Sequence, residues 1–130
     1  MVTPRKNKNL IKKVMRVEEY IMSSWQYNAT IIKVYDGDTV TAEVDLGFSV
    51  KMKMTLRLLD IDAPEIRGEE REEGLKSRDW LREKILGKEV VIQTKKDRKG
   101  KYGRYLATIY EGGENINIKM LQEGYAKEYK

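Results

Sequence analysis

Nine consecutive residues, Arg57-Leu58-Leu59-Asp60-Ile61-Asp62-Ala63-Pro64-Glu65, hold one arginine and three carboxylates. An acidic turn, Asp36-Gly37-Asp38-Thr39, lies upstream, and a basic turn, Lys101-Tyr102-Gly103-Arg104, lies downstream. Carboxylates gathered in one place repel unless a cation lies between them, and a hard divalent ion, Ca2+ or Mg2+, suits oxygen ligands. Guanidinium groups hold phosphate oxygens in pairs and stay charged at physiological pH. Arg57 and Arg104 beside a carboxylate-bound cation would clamp a phosphodiester whose transition state gains negative charge. Each segment alone has a plainer reading. Asp36-Gly37 is an ordinary turn dipeptide, Asp60 to Glu65 a solvated acidic loop, and Arg104 a hairpin charge. The upstream turn is not an EF-hand loop, because Val40 and Thr41 stand where that pattern needs an oxygen ligand and a glycine.

Composition narrows the chemistry. The chain has 130 residues, 26 basic and 21 acidic, with a formal net charge of +5. That length fits one domain with its own core. The positive balance favours polyanionic partners. There is no cysteine, which excludes disulfides and cysteine-ligated zinc, and no histidine. Triads built on Ser-His or Cys-His are therefore excluded. A general base must come from Asp, Glu, Lys, Tyr or a metal-bound water. No apolar run approaches the ~18–20 residues of a membrane span, and no membrane partner is expected. The basic N-terminus lacks the apolar core of a signal peptide. The chain as given reads as cytoplasmic, or as secreted had a leader been trimmed.

These residues need elements to position them. Residues 1–26 read as a basic helical extension and 27–130 as the folded domain. Arg5, Lys6, Lys8, Lys12, Lys13 and Arg16 precede any acid, while Leu10, Val14, Val17 and Ile21 fall on one helical face. That face could pack on the domain while the other touches nucleic acid. Tyr27 to Tyr35 is β-branched and aromatic, a strand. Asp38 to Asp45 alternates as a second, with Val40, Ala42 and Val44 on one face, and Leu46-Gly47 marks the next turn. In the third, Val50, Met52, Met54, Leu56 and Leu58 face the core, and Arg57 points away with Lys51, Lys53 and Thr55. A charged loop follows Pro64. A helix from about Leu75 to Leu86 is predicted next, with Trp80, Leu81 and Ile85 inward and Gly87 as its cap. Lys88 to Thr94 is a fourth strand centred on Val91 and Ile92. A basic hairpin reaches Arg104, and Tyr105 to Tyr110 is a fifth strand. Gly112-Gly113 turns into a last helix carrying Ile118, Leu121 and Tyr125. The sum is a β-rich α+β chain: a five-stranded OB-fold barrel with a helix after strand 3, a helix after strand 5 and an added N-terminal helix.

In order and spacing, the three charged segments and the closing Gly124-Tyr125-Ala126-Lys127 resemble the staphylococcal nuclease (thermonuclease, or micrococcal nuclease) family. The likeness runs from about Tyr27 to Lys127. It implies a Ca2+-dependent endonuclease on an OB-fold. Asp38 and Asp62 would ligate Ca2+ through carboxylates, Ala63 through its backbone carbonyl, and Asp36 would support the site from just outside it. Glu65 would act as general base on the attacking water. Arg57 and Arg104 would hold the scissile phosphate, and Lys101 and Tyr102 would line the nucleotide pocket. The implied substrates are DNA and RNA, single-stranded or from frayed duplex, cut in line to give 3′-phosphate products by a monomer. Two features depart from the family pattern. Ala63 stands where Thr is frequent, and Glu69, Glu70, Glu72 and Glu73 make acidic a loop that is commonly rich in lysine. The competing readings are a catalytically silent OB-fold module that binds nucleic acid or protein, and a bare Ca2+-binding protein. The latter has no use for two neighbouring guanidinium groups.

Overall fold

The structure, a computed structural model, describes residues 26–96 and 105–129. The expected N-terminal helix and the basic turn with Lys101, Tyr102 and Arg104 lie outside the described residues.

Three antiparallel strands open the fold: β1 (Gln26–Asp36), β2 (Thr39–Gly47) and β3 (Val50–Leu58). A two-residue strand, β4 (Ile61–Asp62), and a 3-10 turn at Gly68–Glu70 lead into helix α1 (Arg71–Ile85). Then come β5 (Glu89–Lys96), β6 (Tyr105–Glu111), the short β7 (Glu114–Asn115), helix α2 (Ile116–Gln122) and the short β8 (Lys127–Glu128). The sheet order is β3-β2-β1-β5-β6-β7, and β3 also pairs with β6. That pairing is parallel, Leu56 to Tyr105, Arg57 to Leu106 and Leu58 to Ala107, and it closes five strands into a barrel of OB type.

The barrel interior is aliphatic. Ile31, Ala42, Leu56, Leu58, Ile92, Ala107 and Ile109 are all fully buried, and Leu81 and Ile85 of α1 and Met120 of α2 join them. In β2 the expected alternation holds, with Val40, Ala42 and Val44 inside. In β1 the inward set changes phase, from Ala29 and Ile31 to Val34 and Asp36, because register irregularities fall between Ile31 and Lys33 and between Val34 and Asp36. Such bulges bend a strand sharply enough to curl it around a small barrel.

Several boundaries differ from the sequence expectation. The β2–β3 turn is at Phe48-Ser49, with φ of 55° and 63°, not at Leu46-Gly47. Helix α1 starts at Arg71, four residues early, because Glu72 and Glu73 in its first turn suit the positive end of the helix dipole. Helix α2 ends at Gln122, so Tyr125 lies beyond it. Tyr125 stacks on Trp80 of α1, ring centroids 5.3 Å apart. In β5 the buried residues are Val90 and Ile92, while Val91 faces outward. The outer half of β3 was expected in the core, yet Val50 and Met52 are exposed because the β2–β3 hairpin outruns the barrel.

Candidate active site

The two acidic segments, Asp36–Thr39 and Arg57–Glu65, converge at the end of the barrel opposite that hairpin tip. The β1–β2 turn places Asp36 and Asp38 there, both only 8% exposed. Asp36 Oδ1 accepts from the Asp38 backbone N–H at 3.0 Å, an Asx turn that fixes the loop. Thr39 Oγ1 donates to Asp38 Oδ1 at 3.1 Å, and the Ala63 N–H donates to Asp38 Oδ2 at 3.0 Å. The Asp38 carbonyl accepts from the Leu58 N–H at 2.8 Å. Asp38 is thereby tied to both ends of the Arg57–Glu65 stretch.

Gly37 explains the closeness. A Cβ there would fall 2.6 Å from Ala63 Cβ and 3.0 Å from Ser77 Cβ. The same crowding suits a small residue at position 63, where Ala63 is buried against the turn.

Arg57 sits across from Thr39 in the β2–β3 register and beside Leu106 in the β3–β6 register. Its Nη2 lies 3.6 Å from Asp38 Oδ2 and 3.7 Å from Asp62 Oδ1. These are ion pairs, too long for hydrogen bonds. The guanidinium also lies 4.8 Å from the centroid of the Tyr129 ring, a cation–π contact. Asp62 is more open than Asp38 and borders a cleft of about 350 Å³ shared with Ala63, Glu65, Glu73, Tyr125 and Lys127. Glu65 is exposed at this cleft. Its backbone N–H donates to Glu70 Oε2 at 3.0 Å, so one residue of the acidic loop serves to fix the candidate base.

Burial, then the neighbouring Asp38 charge, raises the Asp36 carboxyl from 3.8 to about 6, with Glu65 adding a smaller push in the same direction. One proton or one cation is what such a group of carboxylates lacks.

The described residues suit a hard cation by their donor set. Asp38 and Asp62 both reach the one Nη2 atom, so their carboxylates border a common position. Their oxygens, with the Ala63 carbonyl nearby in sequence, are the ligand type Ca2+ takes. Among the described residues no three acidic side chains close on a single point, so water would have to complete the shell. The structure brings Asp36, Asp38, Arg57, Asp62 and Ala63 together, with Glu65 on the adjoining cleft. Lys101, Tyr102 and Arg104 lie outside the described residues. Tyr105, immediately after Arg104, pairs with Leu56, one residue from Arg57.

Sequence reasoning missed several supports. Asp60, which had no assigned role, adopts φ of 64° and turns the chain from β3 into β4, while its carbonyl accepts from the Tyr129 N–H at 3.0 Å. Buried Asn117 accepts from the Ile109 N–H and donates to the carbonyls of Leu59 and Ala107, pinning β6 to the end of β3. Ser77 Oγ donates to the Tyr125 carbonyl at 2.6 Å. A Cβ at Gly74 would meet the Glu65 carbonyl oxygen at 2.0 Å, so that glycine lets α1 lie against the Glu65 loop. Gly74, a glycine just ahead of the helix expected from about Leu75, was the one available signal. Asn117 and Tyr129 carried none.

The fold is a five-stranded barrel of OB type with paired carboxylates and an arginine at one end. Comparison with known proteins is more specific: the profile described as "Staphylococcal nuclease homologue" matches residues 55–130, and the chain belongs to that family. It is 38% identical over 101 residues to an uncharacterized endonuclease of Haemophilus influenzae, covering 77% of this chain and 51% of that protein. An uncharacterized protein of Methanocaldococcus jannaschii is 30% identical over 148 residues, covering 85% and 69%. A thermonuclease of Staphylococcus hyicus is 29% identical over 100 residues, covering 75% and 56%. The chain thus spans about half the length of two of these relatives.

Proposed function

We propose that this chain is a Ca2+-dependent nuclease that hydrolyses phosphodiester bonds of DNA and RNA and leaves 3′-phosphate ends. The observation that carries the reading is Arg57 held between Asp38 and Asp62 beside the cleft that Glu65 borders, in a chain of the staphylococcal nuclease family.

Asp38, Asp62 and the Ala63 carbonyl would hold the ion, with Asp36 behind them. Bound Ca2+ would supply positive charge against the phosphoryl oxygens. Glu65, open to the cleft, would take a proton from water as its oxygen attacks phosphorus. The bond from phosphorus to the 5′-oxygen then breaks, that oxygen takes a proton from solvent and leaves as the 5′-hydroxyl, and the phosphate stays on the 3′-oxygen. Arg57 would turn from its carboxylate partners toward a phosphate oxygen. Arg104, one residue before a strand paired beside Arg57, would approach the same phosphate. Lys101 and Tyr102 would contact the nucleotide. Single strands, or strands from frayed duplex, suit a site in which the phosphate must enter a cleft. The chain is expected to act as a monomer.

Cleavage of single-stranded DNA should require Ca2+ and stop with chelator. Asp62→Asn, which removes one ligand charge, should need more Ca2+ for half-maximal cleavage than the unaltered chain. Binding of DNA without cleavage under any divalent ion would favour a silent OB-fold module instead.

A further inference from the structure

We propose that the open edge of β3, from Lys51 to Thr55, accepts an extended peptide of alternating acidic and apolar residues as an added strand. On one side β3 pairs with β2 along its whole length. On the other, β6 pairs with Leu56, Arg57 and Leu58, and no described strand pairs with the residues before them.

The register fixes where the backbone groups point. Opposed residues of an antiparallel pair alternate between those that exchange hydrogen bonds and those that do not. The Leu58 N–H donates to the Asp38 carbonyl, and the Leu59 N–H donates to the Ala107 carbonyl of β6, on the opposite side. The register runs unbroken from Arg57 opposite Thr39 to Lys51 opposite Asp45. Met52 and Met54 therefore turn their N–H and C=O groups toward β2. Lys51, Lys53 and Thr55 turn theirs to the open edge. Such an edge is a template for a further strand.

Side chains define the occupant. Lys51 and Lys53 stand on one face of this edge, and Val50, Met52 and Met54 on the other. Val50 is 50% exposed and Met52 53%, although they continue the face that Leu56 and Leu58 bury in the barrel. An added strand extends both faces, with apolar side chains beside Met52 and Met54 and carboxylates beside the lysines. Glu43 lies opposite Lys53 and Asp45 opposite Lys51 on the β2 side. The Lys51–Glu43 ion pair is long, at 4.0 Å, and exposed, so it holds the ammonium group weakly. A second copy of β3 fits badly, because lysine would stand against lysine across the new ladder. A nucleic acid would use the lysines but leave Val50 and Met52 uncovered, and would meet Glu43 and Asp45.

Amide hydrogen exchange, read residue by residue in the full chain, tests this. In the free chain the Lys53 and Thr55 amides should exchange roughly tenfold or more faster than those of Met52 and Met54. A saturating short peptide of alternating glutamate and valine should slow Lys53 and Thr55 by roughly tenfold and leave Met52 and Met54 little changed. Slow exchange of Lys53 and Thr55 in the free chain would overturn the proposal, since the edge would already be filled. So would slowing that follows protein concentration alone, which indicates a second copy, or slowing by oligothymidylate in place of the peptide. A peptide of alternating lysine and valine should bind roughly tenfold more weakly, and Lys51→Glu with Lys53→Glu should reverse that preference. Equal affinity for the two peptides would contradict the charge complementarity. Lys53→Pro removes a donor from the open edge and spares the β2 ladder, so the chain should fold and lose the peptide-induced slowing at Thr55. Unchanged slowing in that variant would contradict strand addition.

Discussion

Asp36 is the residue whose titration the fold alters most plainly. The folded chain keeps its proton up to about pH 6, while an unfolded chain releases it near 3.8. Protonation therefore favours the native state. That contribution is complete below the unfolded value and is lost as pH rises through about 6. In the presence of chelator, Asp36→Asn should raise the thermal midpoint at pH 7.5 and change it little at pH 3.5. The amide oxygen can still accept from Asp38, so the Asx turn survives. The gain should be roughly 1–2 kcal/mol, less than the full shift implies because solvent reaches part of the carboxylate. A midpoint shift that is the same at both pH values would remove the electrostatic explanation. That Arg57, Asp38 and Asp62 would be brought together was expected from the sequence, and the structure places them side by side. That Arg57 would lie against both carboxylates was not, since it depends on cross-strand register and on a guanidinium seeking the nearest negative charge. Asp60 showed only as another acid in the loop, because a positive φ leaves no mark in residue type beyond the tolerance of Asp for it.

At the scale of elements, two glycine and turn positions make opposite demands. Helix propensity alone says Gly74→Ala should stabilise α1 by ~1 kcal/mol. The Glu65 carbonyl, 2.0 Å from the added Cβ, says the reverse. We expect a loss of about 1–3 kcal/mol, as overpacking costs, together with slower cleavage because the Glu65 loop must move. A more stable and fully active variant would show that the loop gives way freely. At the hairpin tip, Phe48 and Ser49 both have positive φ. Replacing them by Asn-Gly, the pair such turns prefer, should stabilise the chain by roughly 1–2 kcal/mol in denaturant unfolding. No change in the midpoint would mean that the turn relaxes in solution. This turn was placed two residues early from the sequence, because Leu46-Gly47 carries the usual glycine signal and Phe48-Ser49 does not. The strands themselves were readable wherever one face is buried. The outer half of β3 alternated just as cleanly yet is exposed, because alternation reports a two-faced strand and not what covers it.

The whole molecule depends on one long-range event. Parallel pairing of β3 with β6 closes the barrel and brings the residues after Arg104 beside Arg57. No local pattern announces such a pairing, which is set by twist and by the interior volume of five strands. The barrel class was nonetheless readable, because five strands and two helices in this order leave few ways to bury their apolar faces. The acidic loop, which seemed to oppose a polyanion, is partly accounted for by structure. Glu72 and Glu73 start α1, and Glu70 holds the Glu65 backbone. What the fold then presents is a cleft bordered by Asp62, Glu65, Glu70 and Glu73, with Glu65 exposed next to the metal-ligand candidates. The most direct measurement is single-turnover cleavage of a labelled single-stranded DNA at saturating Ca2+ by the unaltered chain and by Glu65→Gln, with DNA binding measured on the same preparations. The account expects cleavage to fall by ~10²–10⁴-fold while binding stays within a few fold, as for loss of a placed general base. Cleavage by Glu65→Gln at the unaltered rate would contradict it.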